Sequence, residues 1–186
     1  MNLHPTFFLR AKHWQIFLFL VGVLCMGALA EDNLVGEQAL QRLGDSSLVL
    51  LGVLAALEML GFLSWFWFIG SFLCSIVRPT LRPKTRFFNV AVAYPVIYGF
   101  TVPKLFQSAS SAVILPLHLF AMVCLIYVLY FVSKCFALAE AVRPKAFPRF
   151  ARTFFLLWFF PIGVWIVQPK VNRLYLAKER SSPAAS

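Results

Sequence analysis

The feature that most constrains this chain is a long apolar run that needs an apolar solvent. Between Leu48 and Val77 there is a single charged side chain, Glu58. Crossing a hydrocarbon layer of about 30 Å takes about 20 helical residues. Hydrophobic residues make up 61% of the chain and charged residues 13%, whereas soluble domains have about 45–50% and about 25%. We therefore predict an integral membrane protein and exclude a soluble enzyme, a disordered chain and a disulfide-stapled secreted domain.

Five apolar stretches alternate with short polar loops, and their lengths favour an all-α integral membrane protein. We predict a four-helix transmembrane bundle with a C-terminal re-entrant or interfacial hairpin, forming a single transmembrane domain over residues 1–186. The predicted spans are about 14–30, 48–68, 87–105 and 112–133, and the predicted membrane-embedded hairpin is about 153–168.

The second stretch is longer than one perpendicular crossing requires. The cluster Trp65-Phe66-Trp67 favours an exit from the hydrocarbon at that point, because tryptophan prefers the membrane interface. The chain up to Val77 would then continue as a helix near the headgroups. A single long, tilted helix is the alternative.

The distribution of lysine and arginine predicts the orientation of the spans, because cytoplasmic loops are rich in both. Basic residues precede the first span, the loop at 31–47 is acidic, the loop at 78–86 is basic, and basic residues follow the fourth span. This alternation fits four crossings of a bacterial-type inner membrane with both termini, including the N-terminus, in the cytoplasm. The net charge of +10 comes mostly from these scattered loop residues, so we expect no nucleic-acid partner.

The stretch at 153–168 departs from the alternation. Basic residues flank it on both sides, and Pro161 and Gly163 interrupt its middle. Charge on both flanks disfavours a plain crossing, so we favour a hairpin bent at Phe160-Pro161-Ile162-Gly163. A fifth crossing, which would place the tail outside, is the alternative.

The first stretch also resembles a signal peptide. A basic start, an apolar run, and small residues at Ala28 and Ala30 before Glu31 fit the pattern that signal peptidase recognises. We favour an uncleaved first span.

The cysteines are predicted to be packing residues. Cys25, Cys74, Cys124 and Cys135 lie in or beside apolar segments, and none forms the closely spaced pairs of zinc or haem sites. The sequence also contains no phosphate-binding loop, dinucleotide fingerprint, nucleophile elbow or metalloprotease motif. We expect no metal and no cofactor, and we assign no catalytic residue.

Glu58 and His118 are the candidates for an intramembrane polar site. Glu58 lies near the centre of the second span, where an acidic group costs about 2.5 kcal/mol or more and usually faces protein or water. His118 lies in the outer half of the fourth span and is its predicted partner. A proton or cation site is one interpretation of Glu58. A neutral carboxyl hydrogen-bonded to a neighbouring helix is the other.

Three polar residues near the C-terminus, with a lysine at the end of the fourth span, are candidates for interface contacts. Gln168 and Asn172 are one helical turn apart, and Arg173 follows them. They would satisfy backbone groups freed where the chain leaves the bilayer, or contact the basic loop or a partner. An interfacial helix is the plainer explanation. Lys134 is predicted to snorkel to the inner headgroups, with a partner contact as the alternative.

Two stretches of the sequence are familiar. One begins Pro116-Leu117-His118-Leu119-Phe120-Ala121-Met122 and runs to Lys134. The other runs from Phe154 to Arg173 and ends Gln168-Pro169-Lys170-Val171-Asn172-Arg173. Both resemble a family of small bacterial multi-pass membrane proteins to which we assign no activity. The resemblance implies that His118, Lys134, Gln168 and Asn172 belong to a shared pattern, and it supplies no substrate.

These features favour a non-enzymatic subunit or interaction partner in a membrane complex. Its predicted partners are the lipid bilayer and either another protein or further copies of the chain. The alternative is a small oligomeric channel or ion-coupled transporter that uses Glu58 and His118. A third hypothesis is an intramembrane enzyme acting on lipid, with His118 as base.

Overall fold

The computed structural model describes residues 6–22, 45–108, 110–140 and 147–181. All of the regular structure in these ranges is helical, and no strand occurs in them, as the sequence predicts. The signal-peptidase pattern, residues 31–44 of the acidic loop and the C-terminal tail beyond 181 lie outside these ranges. Residues 45–47, predicted as the end of that loop, are the first residues of a helix. The elements are α1 (Thr6–Arg10), α2 (His13–Gly22), α3 (Asp45–Ile76), a 3-10 turn (Pro79–Leu81), α4 (Arg86–Ser108), α5 (Ser111–Glu140), α6 (Phe147–Trp158) and α7 (Phe160–Ser181).

Two helices in the described ranges are long and apolar enough to cross a membrane. They are Leu57–Ile76 and Ser111–Glu140, whose most apolar 18-residue windows have mean hydropathies of 1.7 and 2.5. The described part of the N-terminal stretch contributes a shorter apolar helix, His13–Gly22. An all-helical chain with helices able to span a membrane is therefore confirmed, and the number of crossings stays a prediction.

The long second stretch forms one uninterrupted helix. α3 runs without a break from Asp45 to Ile76, through the aromatic cluster where the sequence suggests an exit. Trp65 and Phe66 are buried inside the chain, and only Trp67 of this cluster is exposed. Trp65 therefore packs against this protein's own side chains, which the preference of tryptophan for membrane interfaces does not predict.

The chain divides into two compact units, each with its own packing. The first comprises residues 1–17, 65–85 and 129–186, and the second comprises residues 18–64 and 86–128.

In the first unit, α6 and α7 fold back on each other around a turn at Phe159. The N–H groups of Ile162 and Gly163 donate to the carbonyl of Phe159, at 3.0 and 2.9 Å. Pro161 lies in the first turn of α7, where its missing N–H removes no helical hydrogen bond. Gly163 packs directly against the backbone of Leu156. A Cβ at this position would therefore collide with the Leu156 carbonyl oxygen. The bend thus begins one residue before the predicted position, and glycine is required for the close approach of the helices.

Also in the first unit, α7 runs parallel to the end of α3. Trp65 bonds Gln168, the rings of Phe72 and Tyr175 are 5.6 Å apart, and Lys178 donates to Ser75 at 3.1 Å. Each pair is separated by the same 103 residues. A constant offset means that both helices advance in the same direction.

In the second unit, α4 and α5 pair in antiparallel fashion. The Tyr94 hydroxyl donates to the Leu117 carbonyl at 3.1 Å, and its ring lies 4.6 Å from that of Phe120. Farther along, the rings of Phe87 and Tyr127 are 4.5 Å apart. Residue numbers rise on α4 as they fall on α5, as in two consecutive helices joined by a short loop.

Candidate functional site

A buried polar cluster around Gln168 fixes the position of α7. Gln168 is fully buried, and its Oε1 accepts a hydrogen bond from the Trp65 indole N–H at 3.2 Å. Its Nε2 lies 2.6 Å from the carbonyl oxygen of Phe8, 3.2 Å from that of Ala11 and 3.0 Å from Oδ1 of Asn172. An amide NH₂ has two hydrogens, so these three acceptors share them.

Asn172 completes this cluster by donating to the Ala11 carbonyl at 3.1 Å. Phe8 lies in α1, and Ala11 is the first residue after this helix. The carbonyls at the C-terminal end of a helix have no partner within the helix. The amide side chains of α7 thus cap the end of α1. In the structure Gln168 and Asn172 bond carbonyls that lie about 160 residues away in sequence, rather than the backbone near Pro161 and Gly163. Their contact with a partner stays a prediction.

A second polar cluster joins α7 to α1 nearer the C-terminus. Arg10 donates to Glu179 at 2.6 Å, and the Arg10 guanidinium lies 5.8 Å from the centre of the Tyr175 ring. The hydrogen bond from Arg10 lowers the pKa of the Glu179 carboxyl, and a bond from Tyr175 lowers it further. Desolvation, together with that bond to Glu179, raises the pKa of Tyr175. This end of α7 therefore carries an ionised pair at neutral pH.

A cleft of about 520 Å³ opens between the end of α5 and the α6–α7 hairpin. Its charged and hydroxyl side chains are Glu140, Arg152, Thr153 and Lys170. Its apolar walls are formed by Phe136, Ala139, Leu156, Ile166, Val167 and Leu174. All of these residues belong to the first unit. Among the described parts of the chain, this cleft combines a cavity with unlike charges, and we take it as the candidate functional site.

The charges of the cleft are arranged asymmetrically. Lys170 is held by Glu140, with Nζ 3.2 Å from the carboxylate oxygen, and lies 5.6 Å from the centre of the Phe136 ring. Arg152 is exposed and makes no hydrogen bond or ion pair with any residue that the structure describes. The described lining of the cleft thus carries two positive charges and one negative charge, and the Arg152 guanidinium has no counter-charge among these residues.

The two residues of the predicted intramembrane site have different surroundings. His118 is exposed on α5, and its Nδ1 lies 3.3 Å from the hydroxyl of Tyr98 on α4. Glu58 is half-buried on α3 and makes no hydrogen bond or ion pair within the described ranges. The contact seen at His118 is therefore with Tyr98, and a joint site of Glu58 and His118 stays a prediction.

The remaining predicted interface residues lie on the surface of the first unit. Lys134 is exposed, with Nζ 3.4 Å from the Tyr130 hydroxyl, one turn earlier on α5. Arg173 is exposed on α7, next to the buried amide cluster. Neither residue lines the cleft.

Sequence reasoning missed the residues that form the cleft. In the sequence, Arg152 and Lys170 are orientation markers on the two flanks of the predicted hairpin. The signal that could have found them is that same hairpin, because a bend between 152 and 170 brings its basic flanks together.

Comparisons of the chain with protein-family models, with curated proteins and with solved structures gave no match. The family resemblance of the two C-terminal stretches therefore stays a prediction.

Proposed function

We propose that this chain is a multi-pass membrane protein that acts as a non-enzymatic subunit or interaction partner in a membrane complex. The observation that carries the proposal is the exposure of its most apolar helix. Only 22% of the most apolar 18-residue window within Ser111–Glu140 is buried inside the chain. An apolar helix that its own chain leaves uncovered needs lipid or another protein around it.

Five of the exposed apolar side chains of α5 form a stripe along the helix. Its members are spaced by three, four or one residues, as on one helical face: Leu115, Leu119, Met122, Val123 and Ile126. Such a stripe suits packing against a second transmembrane helix as well as against lipid, since van der Waals packing drives helix association in membranes.

The arrangement of the first unit supports four crossings with a re-entrant hairpin. Arg10 of α1 contacts Glu179, and Ser75 at the end of α3 contacts Lys178. Since the tail of α7 meets both elements, all three belong on one side of the membrane. Because the neighbouring loop at 78–86 is basic, that side is the cytoplasm.

The depth of the hairpin fits a re-entrant segment. From Lys170 to the turn at Phe159 the helix rises about 16 Å, roughly half of the hydrocarbon thickness. The tip exposes large apolar side chains to its surroundings: Phe155, Trp158, Phe159, Ile162 and Trp165. A tip of this kind is stable when it enters one leaflet of the bilayer.

Topology mapping tests this arrangement. In a variant whose native cysteines are replaced by serine, single cysteines are introduced as Glu37→Cys, Lys84→Cys or Ser182→Cys. We expect a membrane-impermeant maleimide to label intact spheroplasts only in the Glu37→Cys variant, and the other two after permeabilisation. Lys84→Cys is the cytoplasmic control. Labelling of Ser182→Cys in intact spheroplasts would contradict the re-entrant hairpin.

The size and composition of the complex test the subunit function. After extraction from native membranes in a mild detergent, we expect a mass larger than one chain with a second protein present. Leu119→Trp on the exposed stripe of α5 is expected to dissociate this complex, because the larger ring disturbs a packed interface. Ile97→Trp, which is equally exposed on α4, is the matched control.

Two other outcomes of the extraction decide between the hypotheses. A closed assembly of identical chains would favour the channel alternative, which ion-flux measurements on Glu58→Gln then test. A single chain whose mass Leu119→Trp does not change would contradict the subunit function.

A further inference from the structure

The cleft between α5 and the α6–α7 hairpin lies where the membrane headgroups are expected. Glu140 is six residues beyond Lys134 along α5, or about 9 Å farther along the helix axis. Lys134 marks the cytoplasmic end of the predicted fourth span. On the proposed topology, on which this inference rests, the charged part of the cleft therefore lies just outside the hydrocarbon on the cytoplasmic side.

The lining of the cleft is amphipathic in the manner of a lipid molecule. Arg152 and Lys170 supply charged donors for an anion. Leu156 and Ile166 supply an apolar wall. That wall continues into the exposed tip of the hairpin at Phe155 and Ile162, the part that the proposed topology places in the leaflet.

We propose that this cleft binds the headgroup phosphate of an anionic phospholipid from the cytoplasmic leaflet. Arg152 donates its paired N–H groups to the phosphate oxygens, a geometry that guanidinium and phosphate share. Lys170, which Glu140 orients from the other side, supplies the second positive charge. The acyl chains lie along Leu156 and Ile166 toward the tip of the hairpin.

Charge favours an anionic lipid over a zwitterionic one. The described lining of the cleft contains two cations and one carboxylate, which gives it a net charge of +1. A lipid with one negative charge neutralises it, whereas a zwitterionic lipid leaves a positive charge in a partly apolar site. Basic pockets between helices on the cytoplasmic side are the usual form of such lipid sites.

A lipid-retention experiment on the purified protein tests the site. The protein in mild detergent is titrated with phosphatidylglycerol, phosphatidylethanolamine or phosphatidylcholine, and bound lipid is counted by native mass spectrometry. We expect one phosphatidylglycerol to be retained in preference to the other lipids. Arg152→Gln is expected to weaken this retention about tenfold, as the loss of a charge-assisted contact would.

Two further variants separate the cleft from general surface charge. Arg173→Gln removes an exposed arginine that does not line the cleft, and we expect its retention to equal that of the unchanged protein. Ala139→Leu keeps every charge but fills space in the cleft, and we expect it to weaken retention as Arg152→Gln does. Equal losses in Arg152→Gln and Arg173→Gln, or an unaffected Ala139→Leu, would overturn the proposal.

The source of the phosphate is tested with a soluble competitor. We expect sn-glycerol 3-phosphate at the same concentration to leave the bound lipid in place, because it lacks the acyl chains that the apolar wall holds. Displacement by this competitor would overturn a lipid site. Absence of any lipid preference would overturn the lipid site alone, because the cysteine labelling above independently reports the topology.

Discussion

Gln168→Leu is expected to lower the free energy of unfolding by about 2–4 kcal/mol, because buried polar groups lose a hydrogen-bond partner at about 1–3 kcal/mol each. The indole N–H of Trp65 loses its acceptor, and the carbonyl of Phe8 and Oδ1 of Asn172 lose the donor that Gln168 supplies. The carbonyl of Ala11 keeps its second donor, Asn172. Equilibrium unfolding in a mild detergent, followed by tryptophan fluorescence, measures the change.

A double-mutant cycle locates the loss in the cluster. Trp65→Phe alone removes the indole N–H, so Oε1 of Gln168 loses the hydrogen bond that it accepts from this group. In Trp65→Phe combined with Gln168→Leu, both members of that bond are apolar, so we expect the double variant to lose less than the sum of the single variants. Asn172→Ala is expected to cost less than Gln168→Leu, because Ala11 then retains Gln168 as a donor.

The result also decides what Gln168 is for. If its amide served mainly to contact a partner protein, Gln168→Leu would disrupt a complex while leaving the isolated chain about as stable as before. A change in unfolding free energy below about 0.5 kcal/mol, the range of ordinary surface substitutions, would contradict the buried cluster.

The apolar runs and the bend at Pro161 and Gly163 were predictable because both depend on local sequence. Hydropathy over some 20 residues identifies a helix that suits a bilayer. A proline followed by a glycine within such a run marks where it bends. Both signals lie within one element, so no knowledge of distant residues was needed.

The partners of the polar residues were not predictable, because they lie far apart in the chain. The spacing of Gln168 and Asn172 indicates that they lie one helical turn apart, but nothing in it points to carbonyls near residue 10. The sequence around Trp65 predicts an interface residue. Its buried acceptor is 103 residues away, so the local sequence does not reveal this contact. His118 lies against Tyr98 because of the register in which α4 packs on α5. That register depends on both helices together, so neither sequence segment alone predicts it.

Gly163→Ala is expected to destabilise the protein by about 1–3 kcal/mol or more, the usual cost of forcing an extra carbon into a packed site. The added Cβ would meet the carbonyl oxygen of Leu156 and lie 2.6 Å from its carbonyl carbon. Backbone atoms cannot rotate away as a side chain can, so α6 and α7 must separate. Thermal unfolding in detergent, compared with the unchanged protein, measures the effect.

Gly99→Ala is the matched control, because it makes the same substitution in a helix with nothing within 4 Å of the new Cβ. Replacing a helical glycine by alanine at an open position should stabilise by about 0.5–1 kcal/mol. The two variants are thus expected to change stability in opposite directions. Since separation of α6 from α7 also moves Arg152 away from Lys170, Gly163→Ala should weaken phosphatidylglycerol retention, which Gly99→Ala leaves unchanged. A Gly163→Ala protein as stable as Gly99→Ala would show that the two helices do not meet at this glycine.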